Sequence, residues 1–250
     1  DAEIVQGNTM SKPEFKNEET GELKQFDYAV ANPPFSYKSW MNGLDPVNDI
    51  YKRFEGYDNL PPKKNGDFAF LLHLIKSLKS KGKACIVLPL GVLFRGNSEA
   101  DIRKKIITKG YIKAIIGLPA NLFYGTGIAA SLIVLDKEDA DKRDSIFMMD
   151  ASKGFIKDGN KNRLREQDIH KIVDAYTNRL TIDKFSRTVP ISEIADPKND
   201  YNLNIPRYID SQEAEDIQDI EAHLLGGIPK RDIEALGNYW EVYPTLKATL

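Results

Sequence analysis

Cysteine occurs once in the 250 residues, as Cys85, so no disulfide can form within the chain, and histidine occurs only three times. One cysteine and three scattered histidines do not make a tetrahedral zinc set, and no metal ligand is assigned. Cys85 lies in an apolar, strand-like run, where a thiol behaves as a small buried hydrophobe. No apolar stretch approaches the roughly 18 residues of a membrane span. The first residues lack the basic-then-apolar pattern of a secretion signal, so the chain reads as cytoplasmic. An excess of charge of either sign is missing too: 35 Lys and Arg stand against 37 Asp and Glu, net -2. Overall charge therefore gives no general attraction to nucleic acid, and any DNA contact rests on a local basic patch or on a partner. Internal repeats and low-complexity tracts are absent. What is present is 41% hydrophobic content, enough to bury a full core in one large domain or in a domain with an appendage.

The chain is organised around Asn32-Pro33-Pro34-Phe35, which follows the short apolar run Phe26 to Ala31. That run is β-prone and too short for a helix, and two successive prolines continue neither a strand ladder nor a helix, so Asn32 is placed at the C-terminal tip of a strand. In open α/β sheets that edge is where ligands bind. The residue types suit chemistry on an exocyclic amine, whose lone pair is delocalised into its ring. Two acceptors gripping its hydrogens favour a more tetrahedral, reactive nitrogen. Asn32 offers a side-chain oxygen, Pro33 a carbonyl in a rigid loop, and Phe35 a flat face for stacking. A plain Pro-Pro turn closing a strand is the bland alternative.

The flanking chain reads as α/β. Residues 1 to 10 look like a strand ending in a turn, 11 to 25 like a polar surface loop, and 36 to 66 like a long irregular loop. Gly66-Asp67 can start a helix with Phe70, Leu71, Leu74, Ile75 and Leu78 on one face. Lys76, Lys79, Lys81 and Lys83 around its end are either a solvated terminus or a DNA patch. A strand at 84 to 89, a helix opened by a capping arrangement of Ser98 and Asp101, and a strand at 112 to 118 give the alternation of a doubly wound sheet. The strand at 129 to 135 is joined to its predecessor too briefly for a helical crossover, which predicts an antiparallel edge hairpin. One more strand is expected at 145 to 149. Residues 153 to 165 read as a flexible basic loop, either touching phosphates or simply solvated, followed by a helix over 165 to 180. After about Ser192 the character changes. Residues 210 to 221 carry six acidic side chains and no basic one, and with a second helix after Pro229 they suggest an acidic helical hairpin that packs on protein, not on DNA.

Gly66 to Leu71, Leu88 to Gly96 and Gly117 to Gly127, taken with the Asn-Pro-Pro-Phe tetrapeptide, resemble the modification subunit of type I restriction-modification systems. The resemblance implies a seven-stranded, mostly parallel, Rossmann-like methyltransferase sheet with one antiparallel strand. It implies transfer of a methyl group from S-adenosylmethionine to adenine N6 in DNA, with the adenine flipped out of the duplex. The implied partners are double-stranded DNA, a specificity subunit, a restriction subunit and a second copy of the modification subunit. Carried over, Asn32, Pro33 and Pro34 form the catalytic loop that holds the amine. Phe35 and Phe123 stack on the target base across one cavity, leaving a base-sized gap. Asn8 and Phe70 meet the cofactor adenine, although Phe70 also lies on the core face of its helix.

The family's glycine-rich cofactor turn, which precedes the tetrapeptide, has no counterpart in residues 1 to 31. The chain is therefore expected to be a fragment: residues 1 to 195 as the second half of a methyltransferase core, and 196 to 250 as a helical extension for partner docking. By itself it is expected not to bind the cofactor. Two other functions compete: a non-catalytic assembly module that docks the specificity subunit, and methylation of a glutamine side chain, whose amide needs the same two acceptors.

Overall fold

The computed structural model describes residues 2–211, 224–226 and 228–242, and the chain divides into two compact units, Asp1–Ser211 and Gln212–Leu250. The first unit is built on a six-stranded sheet in the order β1-β2-β4-β3-β5-β8. Its strands are β1 (Phe26–Ala31), β2 (Leu78–Pro89), β3 (Ile112–Gly117), β4 (Ala130–Asp136), β5 (Ser145–Asp150) and β8 (Ser186–Pro190). β1 pairs parallel with β2 and β3 with β5, while β4 runs antiparallel to both β2 and β3, and β8 antiparallel to β5. β1, β2, β3 and β5 thus share one direction. Their C-terminal tips form one edge of the sheet.

The antiparallel pairing of β3 and β4 agrees with the short connection, but β4 is not at the sheet's edge. It is inserted between β2 and β3. The reason lies in its side chains: Ala130, Leu132, Ile133, Val134 and Leu135 are apolar on both faces, which suits a strand with partners on both sides.

Helices α1 (Asp67–Lys76) and α2 (Ser98–Thr108) cover one face, their apolar stripes merging with the side chains of β2 to β5 in the larger core cluster. Helix α3 (Glu166–Asn178) covers the other face over β3 and β5, where Ala114, Ile116, Phe147 and Met149 meet Ala175, Ile172 and Tyr176. That second layer stops short of β1, where Tyr28 and Val30 are 77% and 86% exposed. Cys85, expected inside, is only half-buried for the same reason.

Several local expectations are corrected. Residues 2–6 form no strand, because they pair with no strand in the sheet. Leu78 belongs to β2 and not to α1: the strand begins six residues earlier than the apolar run suggests, since Phe26 pairs with Leu78 across an irregular register. Ser98 does not cap α2; the preceding Asn97 sits at φ 55 with no side-chain cap bond, and Asp101 instead accepts from Asn59 Nδ2 at 2.7 Å. The basic stretch 153 to 165 holds a two-stranded hairpin, β6 (Ile156–Asp158) and β7 (Lys161–Arg163). Residues 196–211 do not detach from the first unit: Leu203, Ile205, Tyr208 and Ile209 lie in its core. The loop of residues 36 to 66 is irregular as expected, yet Trp40, Phe54 and Tyr57 anchor it in that core.

In the second unit, helices span Lys230–Ala235 and Gly237–Val242, with Pro229 preceding the first. The acidic residues 212–221 lie outside the described residues. Among those described, no helix is long and apolar enough to cross a membrane.

Candidate active site

The ladder of β1 ends at Ala31, opposite Ile86, and the prolines carry the chain off the sheet at its C-terminal edge. The connection from β3 to β4 returns to this edge, because β3 runs with β1. There Asn32, Pro33, Pro34 and Phe35 face Phe123, Tyr124, Gly125 and Thr126 across a cavity of about 490 Å³. The side chain of Asn32 is exposed and takes no hydrogen bond from the described residues, so its oxygen is available as an acceptor. No lining residue is a carboxylate, a histidine or a cation. The cavity offers acceptors and aromatic faces and no general base.

Phe35 and Phe123 are brought together, edge to face, with ring centroids 5.6 Å apart and planes at 71°. The expected gap between them is not there. A base held between two rings makes two contacts of about 3.5 Å each, about 7 Å in all, so the rings must part to admit one. The cavity instead lies beside the aromatic pair.

The two cofactor-side candidates are elsewhere. Phe70 is partly buried and packs on the larger core cluster. Asn8 accepts the amides of Met10 and Ser11 on its side-chain oxygen, at 3.0 and 3.1 Å, closing a local turn. That leaves Asn8 its amide hydrogens, so it can serve a ligand as a donor and not as an acceptor. Neither residue lines the cavity.

The basic clusters are also redistributed. Lys79, Lys81 and Lys83 stand in the first half of β2, at the sheet edge opposite Asn32, and pair with Asp27, Glu138 and Asp136. They do not form a patch beside the cavity. Lys161, assigned on sequence to a phosphate-touching or solvated loop, donates from Nζ to the carbonyls of Phe123 at 2.7 Å and Thr126 at 3.0 Å. Its neighbour Asn162 donates from Nδ2 to the Ala120 carbonyl at 2.7 Å, and from its backbone N–H to Asn121 at 2.9 Å. The β6–β7 hairpin thus buttresses the loop that carries Phe123. No sequence signal points to these roles, since a backbone carbonyl is an acceptor whatever its side chain.

Behind the tetrapeptide, Ser36 lies in the left-handed region at φ 51, and its N–H donates to Asp67 Oδ1 at 2.7 Å. Further back, fully buried Arg53 donates to Asp49, to the carbonyls of Thr9 and Met10, and approaches His73 Nδ1 at 3.3 Å. Burial, together with the Arg53 cation, pushes the His73 imidazole down to about 4. Among the described residues no group of three or more His, Cys, Asp or Glu is placed to hold a metal ion.

Compared with known proteins, residues 1–217 match the family model described as N-6 DNA Methylase. The chain belongs to the N-6 DNA methylase family. Relatives of this N-6 DNA methylase chain include the type I restriction enzyme MjaVII methylase subunit of Methanocaldococcus jannaschii, 36% identical over 246 residues, which cover 94% of this chain and 40% of the relative. The type I restriction enzyme MpnII methylase subunit of Mycoplasma pneumoniae is 35% identical over 198 residues, 78% of this chain and 35% of the relative. The crystal structure of a type I restriction-modification system methyltransferase subunit from Streptococcus thermophilus superposes with a TM-score of 0.69 at 41% identity, covering 80% of this chain and 41% of that one. The sheet with β4 inserted is therefore a methyltransferase fold, and this chain spans only 35 to 41% of the length of these three relatives.

Proposed function

We propose that this chain is the target-base portion of a DNA adenine-N6 methyltransferase, the modification subunit of a type I restriction-modification complex. What carries the reading is the cavity at the sheet edge, where an uncommitted asparagine oxygen, two prolines and two aromatic rings converge within a family whose model describes N-6 DNA methylation. At about 490 Å³ it falls within the usual size range of small-molecule pockets, roughly 300–1,000 Å³.

An adenine amine inside a duplex is out of reach, so the base is extruded and enters this cavity, stacking on Phe35 with Phe123 displaced to its other face. The Asn32 side-chain oxygen accepts one amine hydrogen and the Pro33 carbonyl the other, which draws the nitrogen toward a tetrahedral geometry with its lone pair exposed. Pro33 and Pro34 lack N–H donors, so neither competes for that lone pair. With no general base lining the cavity, the proton that the amine loses after methylation passes to solvent. S-adenosylmethionine supplies an electrophilic methyl group when bound. The family resemblance would give its adenine to Asn8, left with donor hydrogens, and to Phe70, neither of which lines the cavity.

The partners in this reading are double-stranded DNA, a specificity subunit that reads its sequence, a restriction subunit and a second modification subunit. The whole-chain charge of -2 and the ion-paired lysines of β2 support leaving much of the DNA grip to those partners. The C-terminal extension, acidic over residues 212–221, serves to dock one of them. The test is Asn32→Ala in the assembled methyltransferase, measured by single-turnover methylation. Loss of one preorganised hydrogen-bond partner lowers the rate by about 10²-fold or more, with cofactor affinity retained. A rate within a factor of two of wild type refutes the role.

A further inference from the structure

Two stretches with marked sequence patterns, Gly66 to Leu71 and Leu88 to Gly96, contribute nothing to the lining of the cavity, yet they meet directly behind it. We propose that Asp67 is a positioning residue for the Asn32–Phe35 loop, held in place by Arg95; the inference rests on the reading of that loop as the grip on the target base.

The loop has two ends. At the first, Ala31 is fixed by the ladder to β2. At the second, Ser36 adopts φ 51, a conformation that a residue with a Cβ rarely holds unless its surroundings impose it. The imposing group is the Asp67 carboxylate, completely buried at the first position of α1, whose Oδ1 accepts the Ser36 N–H at 2.7 Å. One residue further, the Tyr37 carbonyl accepts the Gly66 N–H at 3.0 Å. Only glycine permits that approach, since a Cβ at position 66 would stand 2.8 Å from Trp40 Cβ and 3.1 Å from the Tyr37 carbonyl oxygen. Four residues, two of them prolines, therefore span two fixed points.

Asp67 is itself held. Its Oδ2 accepts from Arg95 Nη2 at 2.6 Å, and Arg95 donates to both oxygens of Glu99, at 2.5 and 3.1 Å. The Arg95 carbonyl accepts from Arg103 at 2.8 Å, and Arg103 also reaches the carbonyls of Val92 and Tyr201. This chain of charged bonds ties the loop to α2 and to the segment around Tyr201. It sets where Asn32 and Phe35 stand and adds no surface that touches the base.

Loss of Asp67 therefore lowers the rate of methyl transfer without weakening DNA or cofactor binding. The experiment compares Asp67→Ala, Arg95→Met, their double mutant and Asn32→Ala in the assembled methyltransferase, by single-turnover rate, by Kd for S-adenosylmethionine and for DNA, and by thermal unfolding. Asp67→Ala is expected to slow transfer by about 10- to 100-fold, the scale of a displacement near 1 Å, with both Kd values within twofold. Arg95→Met is expected to slow it less, and the double mutant to match Asp67→Ala, because Arg95 acts through Asp67. A folded Asp67→Ala enzyme with a rate within twofold of wild type overturns the proposal, as does a double mutant whose loss is the product of the single losses. Should Asp67→Ala fail to fold, Arg95→Met decides, its side chain being 29% exposed: a wild-type rate overturns the proposal, and a reduced rate at unchanged Kd supports it. An Asn32→Ala enzyme that still transfers at the wild-type rate removes the reading of the site and this inference with it. Loss in Asn32→Ala but not in Asp67→Ala removes the inference alone.

Discussion

Acidification from pH 7 to pH 4 should destabilise the chain through one side chain, His73. Its imidazole sits on α1 against the buried Arg53 guanidinium, with Nδ1 3.3 Å from Nη1. As a neutral acceptor it satisfies that cation; as a cation it would oppose it. Burial and Arg53 together take its pKa from the ordinary 6.5 to about 4. Between these values the unfolded chain binds a proton that the folded chain refuses, so stability rises with pH across the window. The contribution is fully present above pH 6.5 and is lost as the pH falls toward 4. At about 1.4 kcal/mol per tenfold the loss amounts to about 3 kcal/mol, a large share of the 5–15 kcal/mol typical of a domain. Burial works to raise the neighbouring Asp49 carboxyl, but its bonds to Arg53 outweigh this and hold it below its ordinary 3.8, so Asp49 sheds its contribution only at lower pH. The assay is urea unfolding followed by circular dichroism at several pH values between 7 and 4, for wild type and for His73→Gln, which keeps an acceptor and does not titrate. The wild-type curve should fall steeply below pH 6.5, and the variant's should be flatter by about 3 kcal/mol over the window. Parallel curves would refute the reasoning.

Lys161→Met removes two of the four bonds that buttress the Phe123 loop and leaves those of Asn162, so amide exchange over residues 123–127 should quicken several-fold and methyl transfer should fall; Lys157→Met on the same hairpin serves as control, and unchanged exchange in the Lys161 variant counts against the buttress. Gly66→Ala drives a Cβ to 2.8 Å from Trp40 and should cost about 1–3 kcal/mol by overpacking; an unaltered urea midpoint would show that the helix start can shift without penalty.

Asn32 could be placed from sequence because prolines punctuate: they end a strand wherever they fall, and the end of a parallel strand is an edge. Phe123 was named by the family resemblance, and the structure supplies the physical reason for its place: the connection from β3 to β4 is too short for a crossover and returns to the edge it left. The insertion of β4 was not legible. Antiparallel pairing with β3 leaves open which strand takes the other side of β4, and only its apolar character on both faces hinted at an interior position. Asp67 was legible as a helix start, but its bonds reach Ser36 and Arg95, 31 and 28 residues away, and side-chain patterns carry no record of such partners. The lysines of β2 looked like a helix terminus because their acidic partners, Asp27, Asp136 and Glu138, come from other strands and loops.

The place of β4 also bears on how the chain is made. In the sheet it is the one strand that joins the pair β1–β2 to the group β3–β5–β8, and it is later in sequence than three of the strands it unites. A growing polypeptide can pair β1 with β2 early, but β3 then waits with nothing beside it until Asp136 has emerged from the ribosome. Both walls of the cavity, Asn32 to Phe35 and Phe123 to Thr126, are synthesised before that moment, the second as the turn leading into β4 itself. The site comes into being as β4 zips the two groups together, so a pause or a lesion in that single strand leaves two half-sheets and no place for a base.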